Sequence, residues 1–586
     1  MSAFSIHGCP PLFHWGARSD LAMGREAEIR RANRLRSKTL YSFLVISTFI
    51  FSGCASFGTL NAPQTHVLML GEDNGFPKDY EKAFPDGYLE ERGQLNTEAL
   101  SLYYHERPYR SRGALPDRCL ALSGGGVRSA MYTIGAMKAL SEHGSLDTLD
   151  LISAVSGGAY AAGWYFQNGG ADSRLLFHED TLSRFTSPIP FQTQAVIGLM
   201  NVAHVLTGVP LSLGFSLYST LSLNVLDPPG RPNLTSLYSA ILLRPYGPAG
   251  GRQTTYRRGQ YLREKGLPGF IFNLTIQDRH SDRFSSRGQI FEVSTWGMGS
   301  DLDRYVTYEE VQDNSYLRDY AEWHISDIVA LSGAALSKPW QACSALNGVE
   351  DWCPLKKLWA YLRMYTGMSL GYTMWSFRDT YWDKHSFSDY FFLSDGGHSE
   401  NLGAYSLIRR HCKDVTIVDA EFDEHYVFEG YLVLRHLIED RLAGKLVLED
   451  IDNYLEGQTL GAYPSKTWTK PVMSGKVFGV PVIENGLLNK APIPITYLRL
   501  SIDRGKLTNL HPKDTMQVGC TTDQHTSEPE TYFSARLIKL AKEDPQFPMY
   551  STLNQFLSHE QKSSLIDLGY AHMKSELCRR ESGKLH

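Results

Sequence analysis

Three stretches of the chain share a pattern in which a short run of apolar residues ends in small residues. Residues 119–122 (CLAL) lead into three glycines, residues 151–155 (LISAV) into Ser-Gly-Gly, and residues 390–393 (YFFL) into Ser-Asp-Gly-Gly. Short apolar runs bounded by glycine are typical of buried strands, and helix-like patterns of apolar positions follow each of them. The pattern therefore predicts an α/β fold in which each of these strands leads towards a helix.

The second stretch places Ser156 at the junction between its strand and a helix predicted from about Ala159. A strand-to-helix elbow needs small neighbours, because its backbone is strained and the chain passes close to itself. Gly157 and Gly158 leave that room, whereas Ala154 stands where the usual elbow has a glycine. Ser156 is therefore a candidate nucleophile. A Ser-Gly-Gly turn that only caps a helix is the alternative that this stretch alone leaves open.

The first stretch contains Gly124, Gly125 and Gly126, followed by a helix predicted from about Ser129 to Leu140. Successive glycine amides at such a turn can direct N–H groups into a cavity, reinforced by the positive end of the helix. They suit a phosphate or an oxyanion, but the residues of a phosphate loop or a dinucleotide fingerprint do not follow. The pattern favours an oxyanion hole that uses the Gly125 and Gly126 amides, with Arg128 adding positive charge.

The third stretch ends in Asp395, Gly396 and Gly397, and its carboxylate lies at the end of a predicted strand. An Asp-Gly pair is also common in ordinary turns. An exposed aspartate with a pKa of about 3.9 is a weak base, so a catalytic Asp395 must be buried or closely coupled to the serine hydroxyl. His398 is interpreted as a loop residue, since Asp395 already supplies a base.

These three segments, in this order, resemble the patatin-like phospholipases and the related group IV cytosolic phospholipases. SGGGVRSA at 123–130 is nearer the cytosolic version, in which an arginine follows the glycines by two places. VALSGAALSKPW near Ser332 and FPMYSTLNQFL at 547–557 resemble bacterial patatin-like chains. The resemblance implies a three-layer fold with a central, mostly parallel sheet, a nucleophile elbow and large insertions.

The resemblance also implies a site and an activity. Ser156 and Asp395 form a catalytic dyad, and the Gly125 and Gly126 amides beside Arg128 form the oxyanion hole. The expected function is a lipid acyl hydrolase, of phospholipase A or lysophospholipase type, that works through an acyl-enzyme without cofactor or calcium. Two alternatives stay open: a lipid-binding envelope lipoprotein with a vestigial site, and an acyltransferase.

The amino terminus resembles an export signal. Five basic residues precede an uncharged apolar stretch at 39–53: Arg30, Arg31, Arg34, Arg36 and Lys38. The stretch is short for a membrane span and ends in Ser-Gly before Cys54, as in a lipoprotein signal. We expect Cys54 to be lipidated and the protein to lie in a bacterial cell envelope, anchored to the outer membrane and facing the periplasm. An uncut signal anchor with a buried Cys54 is the alternative.

The predicted organisation has three parts. Residues 1–53 form the signal segment, with Met23 as an alternative start, residues 54–115 an extension, and residues 116–586 the acyl hydrolase domain. An insertion at 185–226 contains no Asp, Glu, Lys or Arg. Such a stretch suits a lid or a membrane-contacting hairpin better than simple core.

Composition adds limits on partners and metals. The net charge of -5 gives no basic footprint for nucleic acid, and no His/Cys cluster has zinc spacing, so no metal is expected. Cys343 and Cys353 are candidates for a disulfide, and Cys520 with Cys578 form a weaker pair. Two cysteines beside apolar segments, Cys119 and Cys412, are interpreted as buried thiols.

Overall fold

The structure is a computed structural model. It describes residues 115–168, 173–186, 254–277, 289–300, 305–313, 318–333, 372–375, 390–442, 444–456, 468–480, 482–484, 487–489, 491–507, 533–552, 554 and 556–581. The predictions for the signal segment, Cys54, the extension and the Cys343–Cys353 disulfide lie outside these residues, as does the insertion beyond residue 186.

Two successive strand-to-helix units carry the first two motifs. Strand β1 (Arg118–Leu122) leads into helix α1 (Gly126–Glu142), and strand β2 (Leu151–Val155) leads into helix α2 (Ser156–Asn168). Both helices begin three residues earlier than the sequence predicted. The first turn of α2 is Ser156-Gly157-Gly158 and α1 begins at Gly126, and glycine is a poor helix former. The candidate nucleophile and the last glycine of the run are therefore both first residues of helices.

The remaining elements follow in chain order. The helices are α3 (Ser173–Leu176), α4 (Glu179–Thr186), α5 (Thr255–Lys265), α6 (Tyr308–Asp313), α7 (Arg318–Ala321), α8 (Ile325–Ser332), α9 (Tyr405–Arg409), α10 (Glu429–Arg441), α11 (Glu449–Glu456), α12 (Arg504–Leu507), α13 (Ala535–Glu543) and α14 (His559–Glu581). The strands are β3 (Gly269–Gln277), β4 (Gln289–Ser294), β5 (Gly297–Ser300), β6 (Tyr305–Thr307), β7 (Tyr372–Trp375), β8 (Tyr390–Asp395), β9 (Asp414–Asp419), β10 (Lys445–Val447), β11 (Val472–Phe478), β12 (Val482–Glu484), β13 (Leu487–Asn489) and β14 (Ile493–Arg499).

Twelve of the described strands form one mixed sheet, in the order β10, β11, β14, β9, β1, β2, β3, β4, β5, β6, with β8 beside β3 and β7 beside β8. The central five strands, from β14 to β3, are parallel. The outer strands on both sides are antiparallel. Parallel strands are normally buried on both faces, so helices are expected on each side.

Helices cover both faces of this sheet. Leu120 and Leu122 of β1 belong to a core shared with α1, α2 and α14. Cys119 and Ala121 point the other way, into a second core with α9 and α10. Successive residues of a strand face opposite sides, so the sheet lies between two helical layers. The predicted α/β fold with a central parallel sheet is confirmed.

Strand β3 brings two distant parts of the chain together. Its first half pairs in parallel with β2, where Val155 lies opposite Asn273. Its second half pairs antiparallel with β8, where Asp395 lies opposite Leu274. The ends of β2 and β8 therefore meet at adjacent residues of one strand. The residue that follows β2 and the residue that ends β8 become neighbours.

The interpretation of Cys119 and Cys412 as free buried thiols is wrong. They form a disulfide with a Cα–Cα distance of 6.1 Å. Strands β1 and β9 pair in parallel with Cys119 opposite Val415, which carries the nearby Cys412 close to Cys119. Sequence alone does not reveal this pairing, because the two cysteines are 293 residues apart. Cys578 is also disulfide-bonded.

The stretch at 434–457, which looks helical in sequence, is not one helix. Helices α10 and α11 occupy its two ends, and β10 lies between them. Strand β10 pairs antiparallel with β11, so tertiary pairing overrides a local helical preference. Among the described residues, the helices all lack either the length or the apolar character needed to cross a membrane.

Candidate active site

The candidate nucleophile lies on a strained turn. Ser156 has a φ of 47°, in the left-handed region that residues with side chains seldom adopt, and it is buried. The next two residues have no room for a side chain. A methyl group at Gly157 would overlap the Gly126 carbonyl oxygen, and one at Gly158 would crowd the Leu122 carbonyl oxygen. Ser156 is therefore held in a costly conformation by close packing, as is common at functional sites.

Asp395 lies beside this serine. The Ser156 hydroxyl donates a hydrogen bond to Asp395 Oδ2 at 2.9 Å. The other carboxylate oxygen, Oδ1, accepts the Gly397 N–H at 2.7 Å. Burial raises the pKa of Asp395 to about 7, although both hydrogen bonds act in the opposite direction. The carboxylate is thus both oriented and more basic than an exposed aspartate.

The two glycines after Asp395 form the turn that follows β8. A methyl group at Gly396 would overlap the Asn273 carbonyl oxygen of β3, and one at Gly397 would crowd the Asn401 side chain. His398, interpreted as a loop residue, ends a short 3₁₀ turn, and its Nδ1 lies 3.1 Å from Ser394 Oγ. The Asp-Gly-Gly sequence is therefore required by close packing at the junction of β8 and β3.

The glycine run lies against the elbow. Gly124 donates its N–H to the Asn401 carbonyl at 2.8 Å. Gly125 and Gly126 have positive φ values of 136° and 64°, and within the described part of the chain their amides have no hydrogen-bond acceptor. Gly126 begins α1 and contacts Gly157 in the first turn of α2. The positive ends of two helices therefore meet beside Ser156, which suits an anion.

Arg128 is buried and committed to main-chain carbonyls. Its Nη2 donates to the Ala420 carbonyl at 2.8 Å, and its Nη1 donates to the Tyr550 carbonyl. The guanidinium lies 5.5 Å from the centre of the Phe422 ring. Burial, with a smaller contribution from Arg499, lowers the pKa of Arg128 to about 9. Arg128 thus connects α1 to the end of β9 and to the 547–557 segment, and its action on an oxyanion stays a prediction.

Asn401 is a central residue that sequence reasoning missed. A methyl group at Gly124 would overlap its Oδ1, and its Nδ2 donates to Glu421 Oε1 at 2.6 Å. Asn401 therefore contacts the glycine run, the Asp395 turn and the end of β9. It lies six residues after Asp395 in the SDGGHSENLG segment, which is the only signal that the sequence offers.

Two further buried acids stabilise the loops around the site. Glu400 accepts the Leu402 N–H at 2.6 Å, and burial raises its pKa to about 7. Glu421 accepts the Gly430 N–H at 3.0 Å, and burial, aided by Asp419, raises its pKa to about 8. No group of three or more metal-ligating side chains occurs among the residues that the structure describes.

An α/β sheet with a serine at a strained strand-to-helix elbow, a neighbouring carboxylate and a glycine run defines a nucleophile-elbow protein. Residues 120–290 match the family model of the patatin-like phospholipases. This match agrees with the resemblance that the sequence indicated. The matched range includes the glycine run and Ser156, whereas Asp395 lies beyond it.

Solved structures agree on the fold. The human GIVD cytosolic phospholipase A2 is similar with a TM-score of 0.52 at 12% identity, covering 84% of this chain and 65% of that chain. Its complex with methyl gamma-linolenyl fluorophosphonate gives a TM-score of 0.47 at 12% identity, covering 84% and 64%. This chain therefore spans slightly less than two thirds of those proteins. A search of curated proteins gave no significant match.

Proposed function

We propose that the protein is a lipid acyl hydrolase, of phospholipase A or lysophospholipase type, whose nucleophile is Ser156 and whose base is Asp395. The observation that carries the proposal is the 2.9 Å hydrogen bond from the Ser156 hydroxyl to Asp395 at a strained elbow. The family match over 120–290 supports a lipid ester as substrate. A membrane phospholipid or lysophospholipid is the proposed partner.

The acylation step uses these groups in order. Ser156 Oγ attacks the ester carbonyl carbon as Asp395 accepts the hydroxyl proton. The carbonyl oxygen becomes an oxyanion, which the Gly125 and Gly126 amides stabilise at the start of α1. When the intermediate collapses, the ester C–O bond breaks and the proton passes from Asp395 to the leaving alkoxide. The products are an acyl-serine and an alcohol.

Deacylation repeats the same chemistry with water. Asp395 removes a proton from the water molecule, whose oxygen attacks the acyl-serine carbonyl carbon, and the same amides stabilise the second oxyanion. Collapse breaks the bond to Ser156 Oγ, which regains its proton from Asp395. A carboxyl pKa of about 7 suits both acylation and deacylation, since the group has to accept and return a proton near neutral pH.

The proposal is tested with a fluorophosphonate probe and with phospholipid hydrolysis. The wild-type protein is expected to be labelled at Ser156 and to release fatty acid, whereas Ser156→Ala and Asp395→Ala lose both activities while remaining folded. Because the two side chains act as a unit, either loss should cost nearly as much as the double variant. A labelled protein that transfers acyl groups to an alcohol without releasing fatty acid would be an acyltransferase. A folded, unlabelled wild type would indicate a vestigial site.

We further propose that the mature protein begins at a lipidated Cys54 in a bacterial cell envelope and faces the periplasm from the outer membrane. The Cys119–Cys412 disulfide supports an oxidising compartment, because structural disulfides are rare in the cytosol of most organisms. Lipidation would keep the site close to membrane phospholipid. Mass spectrometry of the amino-terminal peptide tests this. An unmodified Cys54 within an intact peptide from Lys38 to Leu60 would refute the anchor.

A further inference from the structure

A side-chain hydroxyl enters the parallel ladder between β2 and β3 at the candidate nucleophile. Gly269 donates its N–H to the Asp150 carbonyl at 2.8 Å. This bond fixes which amides and carbonyls of the two strands are partners further along the pair. Such bonds are evenly spaced along a parallel pair, and the register places Val155 opposite Asn273. If the same alternation of partners continues to the end of β2, the Ser156 N–H is the partner of the Asn273 carbonyl.

The hydroxyl of Ser332 occupies the place of that bond. The Ser156 N–H donates to Ser332 Oγ at 2.9 Å, and Ser332 Oγ donates to the Asn273 carbonyl at 2.8 Å. Ser332 is the last residue of α8 and is fully buried. Two hydrogen bonds that pass through a side-chain hydroxyl therefore link the Ser156 amide to the Asn273 carbonyl.

This bridging hydroxyl bears on the position of the elbow. A direct amide-to-carbonyl bond holds nitrogen and oxygen about 2.9 Å apart, whereas a hydroxyl between them keeps the two atoms further apart. The chain therefore leaves β3 at Ser156, the residue with the positive φ. The same Asn273 carbonyl lies against Gly396, directly after Asp395. The hydroxyl thus acts at the point where both members of the dyad leave the sheet.

We infer that Ser332 is a positioning residue for the dyad. Its hydroxyl holds the Ser156 main chain away from β3, so that Ser156 Oγ stays within hydrogen-bond distance of Asp395. The inference rests on the proposed function, and Ser332 acts only through the backbone of Ser156. A purely structural serine would contribute to the stability of the fold without changing the reactivity of the nucleophile.

Ser332→Ala separates these two roles. Without the hydroxyl, the Ser156 N–H can bond directly to the Asn273 carbonyl, so the fold loses little and the melting temperature should stay close to that of the wild type. The nucleophile is drawn towards β3, and a displacement of this kind can lower a rate by about 10²-fold. We expect that fall both in the labelling rate of Ser156 by a short-chain fluorophosphonate and in kcat on a soluble short-chain ester, with KM nearly unchanged.

Three more variants complete the experiment. Ser332→Thr keeps the hydroxyl and should restore most of the labelling rate. Ser332→Cys keeps the connectivity of the side chain but hydrogen-bonds weakly, so it should remain slow while folded. Ser141→Ala is the matched control, because Ser141 is buried and its hydroxyl bonds Ser173 at 2.8 Å near the far end of α1. This control should be labelled at the wild-type rate.

The outcomes are distinguishable. If wild-type protein is labelled at Ser156 and folded Ser332→Ala or Ser332→Cys is labelled equally fast, the positioning role is overturned and the proposed function stands. Equal slowing in Ser141→Ala would also overturn it, because any buried serine would then have the same effect. If the wild-type protein is not labelled, the proposed function fails, and the positioning role fails with it.

Discussion

At the scale of single residues, two energetically unfavourable states lie side by side at the candidate active site. Ser156 has a backbone conformation that disfavours a side chain, and Asp395 is a carboxyl whose burial raises its pKa to about 7. Unfavourable local states of this kind persist only where the surrounding structure enforces them. Here the enforcement comes from glycines without room for a methyl group and from the hydrogen bond that joins Ser156 to Asp395.

The raised pKa predicts the pH dependence of the reaction. Asp395 has to be ionised to accept the serine proton, so kcat/KM should rise as pH increases through about 7 and then level off. An exposed aspartate would instead give full activity above about pH 5. The measurement is kcat/KM on a soluble short-chain ester from pH 5 to 9.

A control variant identifies the titrating group. Burial also raises the pKa of Glu400 to about 7, so this carboxyl could give a similar inflection. Glu400→Gln should keep the inflection if Asp395 is responsible. Loss of the pH dependence in this variant, or a flat profile in the wild type, would contradict the assignment to Asp395.

Only some residues of the candidate site could be predicted from the sequence. Ser156, Asp395 and the glycine run carry sequence patterns, and the structure brings them together. Asn401 and Ser332 carry no comparable pattern, because their importance arises from contacts with parts of the chain that are distant in sequence. For Asp395, the sequence indicated only that a catalytic carboxylate has to be buried or coupled to the serine. It could not show that the side chain is buried, because burial depends on the whole fold.

At the scale of elements, the site is made where the starts of two helices meet the ends of strands. Helices α1 and α2 begin side by side, with Gly126 against Gly157. The sequence predicted both strand-to-helix units but began each helix three residues late. The reason is that Gly126, Ser156, Gly157 and Gly158 are poor helix formers, and here close packing of the two first turns decides their conformation.

Gly157→Ala tests this packing of the helix starts. The added methyl group would overlap the Gly126 carbonyl oxygen, so α1 and α2 have to move apart. We expect labelling of Ser156 to fall by about 10²-fold or more, since displacement of the amides by about 1 Å is enough for such a loss. Gly505→Ala in α12 is the control, where the methyl group would meet only the end of the Asp503 side chain. Equal activity in the two variants would show that the contact is not needed.

At the scale of the whole molecule, buried ionisable groups set the response of stability to pH. Asp395, Glu400 and Glu421 all have pKa values raised by burial, to about 7, 7 and 8. His572, buried beside Tyr132, has a pKa lowered by burial to about 3. The acids hold their protons more tightly in the folded state, and the histidine holds its proton less tightly.

The signs of these shifts give the direction in which stability changes with pH. A raised carboxyl pKa stabilises the fold at low pH, and this contribution is lost as pH rises through about 7 to 8. The lowered histidine pKa has the opposite effect, since stability is lost as pH falls below about 6.5, where the unfolded chain binds a proton. Three carboxyls outweigh one histidine, so we expect the free energy of unfolding to decrease from about pH 5 to about pH 8, by on the order of 1 kcal/mol or more per pH unit, and to level off above that.

Urea denaturation across pH 5 to 9 measures this curve. Glu400→Gln removes one of the three acids and should make this decrease shallower, while His572→Phe, if it folds, should make the decrease steeper below about pH 6.5. Stability that continues to increase from pH 7 to 9 would contradict the raised carboxyl pKa values. The sequence did not predict either pKa shift, because Glu400 and His572 are buried only by contacts with parts of the chain that are distant in sequence.

Strand β3 has a consequence for how such a protein can diversify. Ser156 and Asp395 are 239 positions apart in the chain, yet their separation in space is set by two consecutive residues of one strand. The chain between them can lengthen, shorten or change composition while the candidate nucleophile and the candidate base keep their geometry. Closing a longer loop costs little free energy, because that cost grows only slowly with length. Substrate preference can therefore evolve in the intervening chain independently of the chemistry.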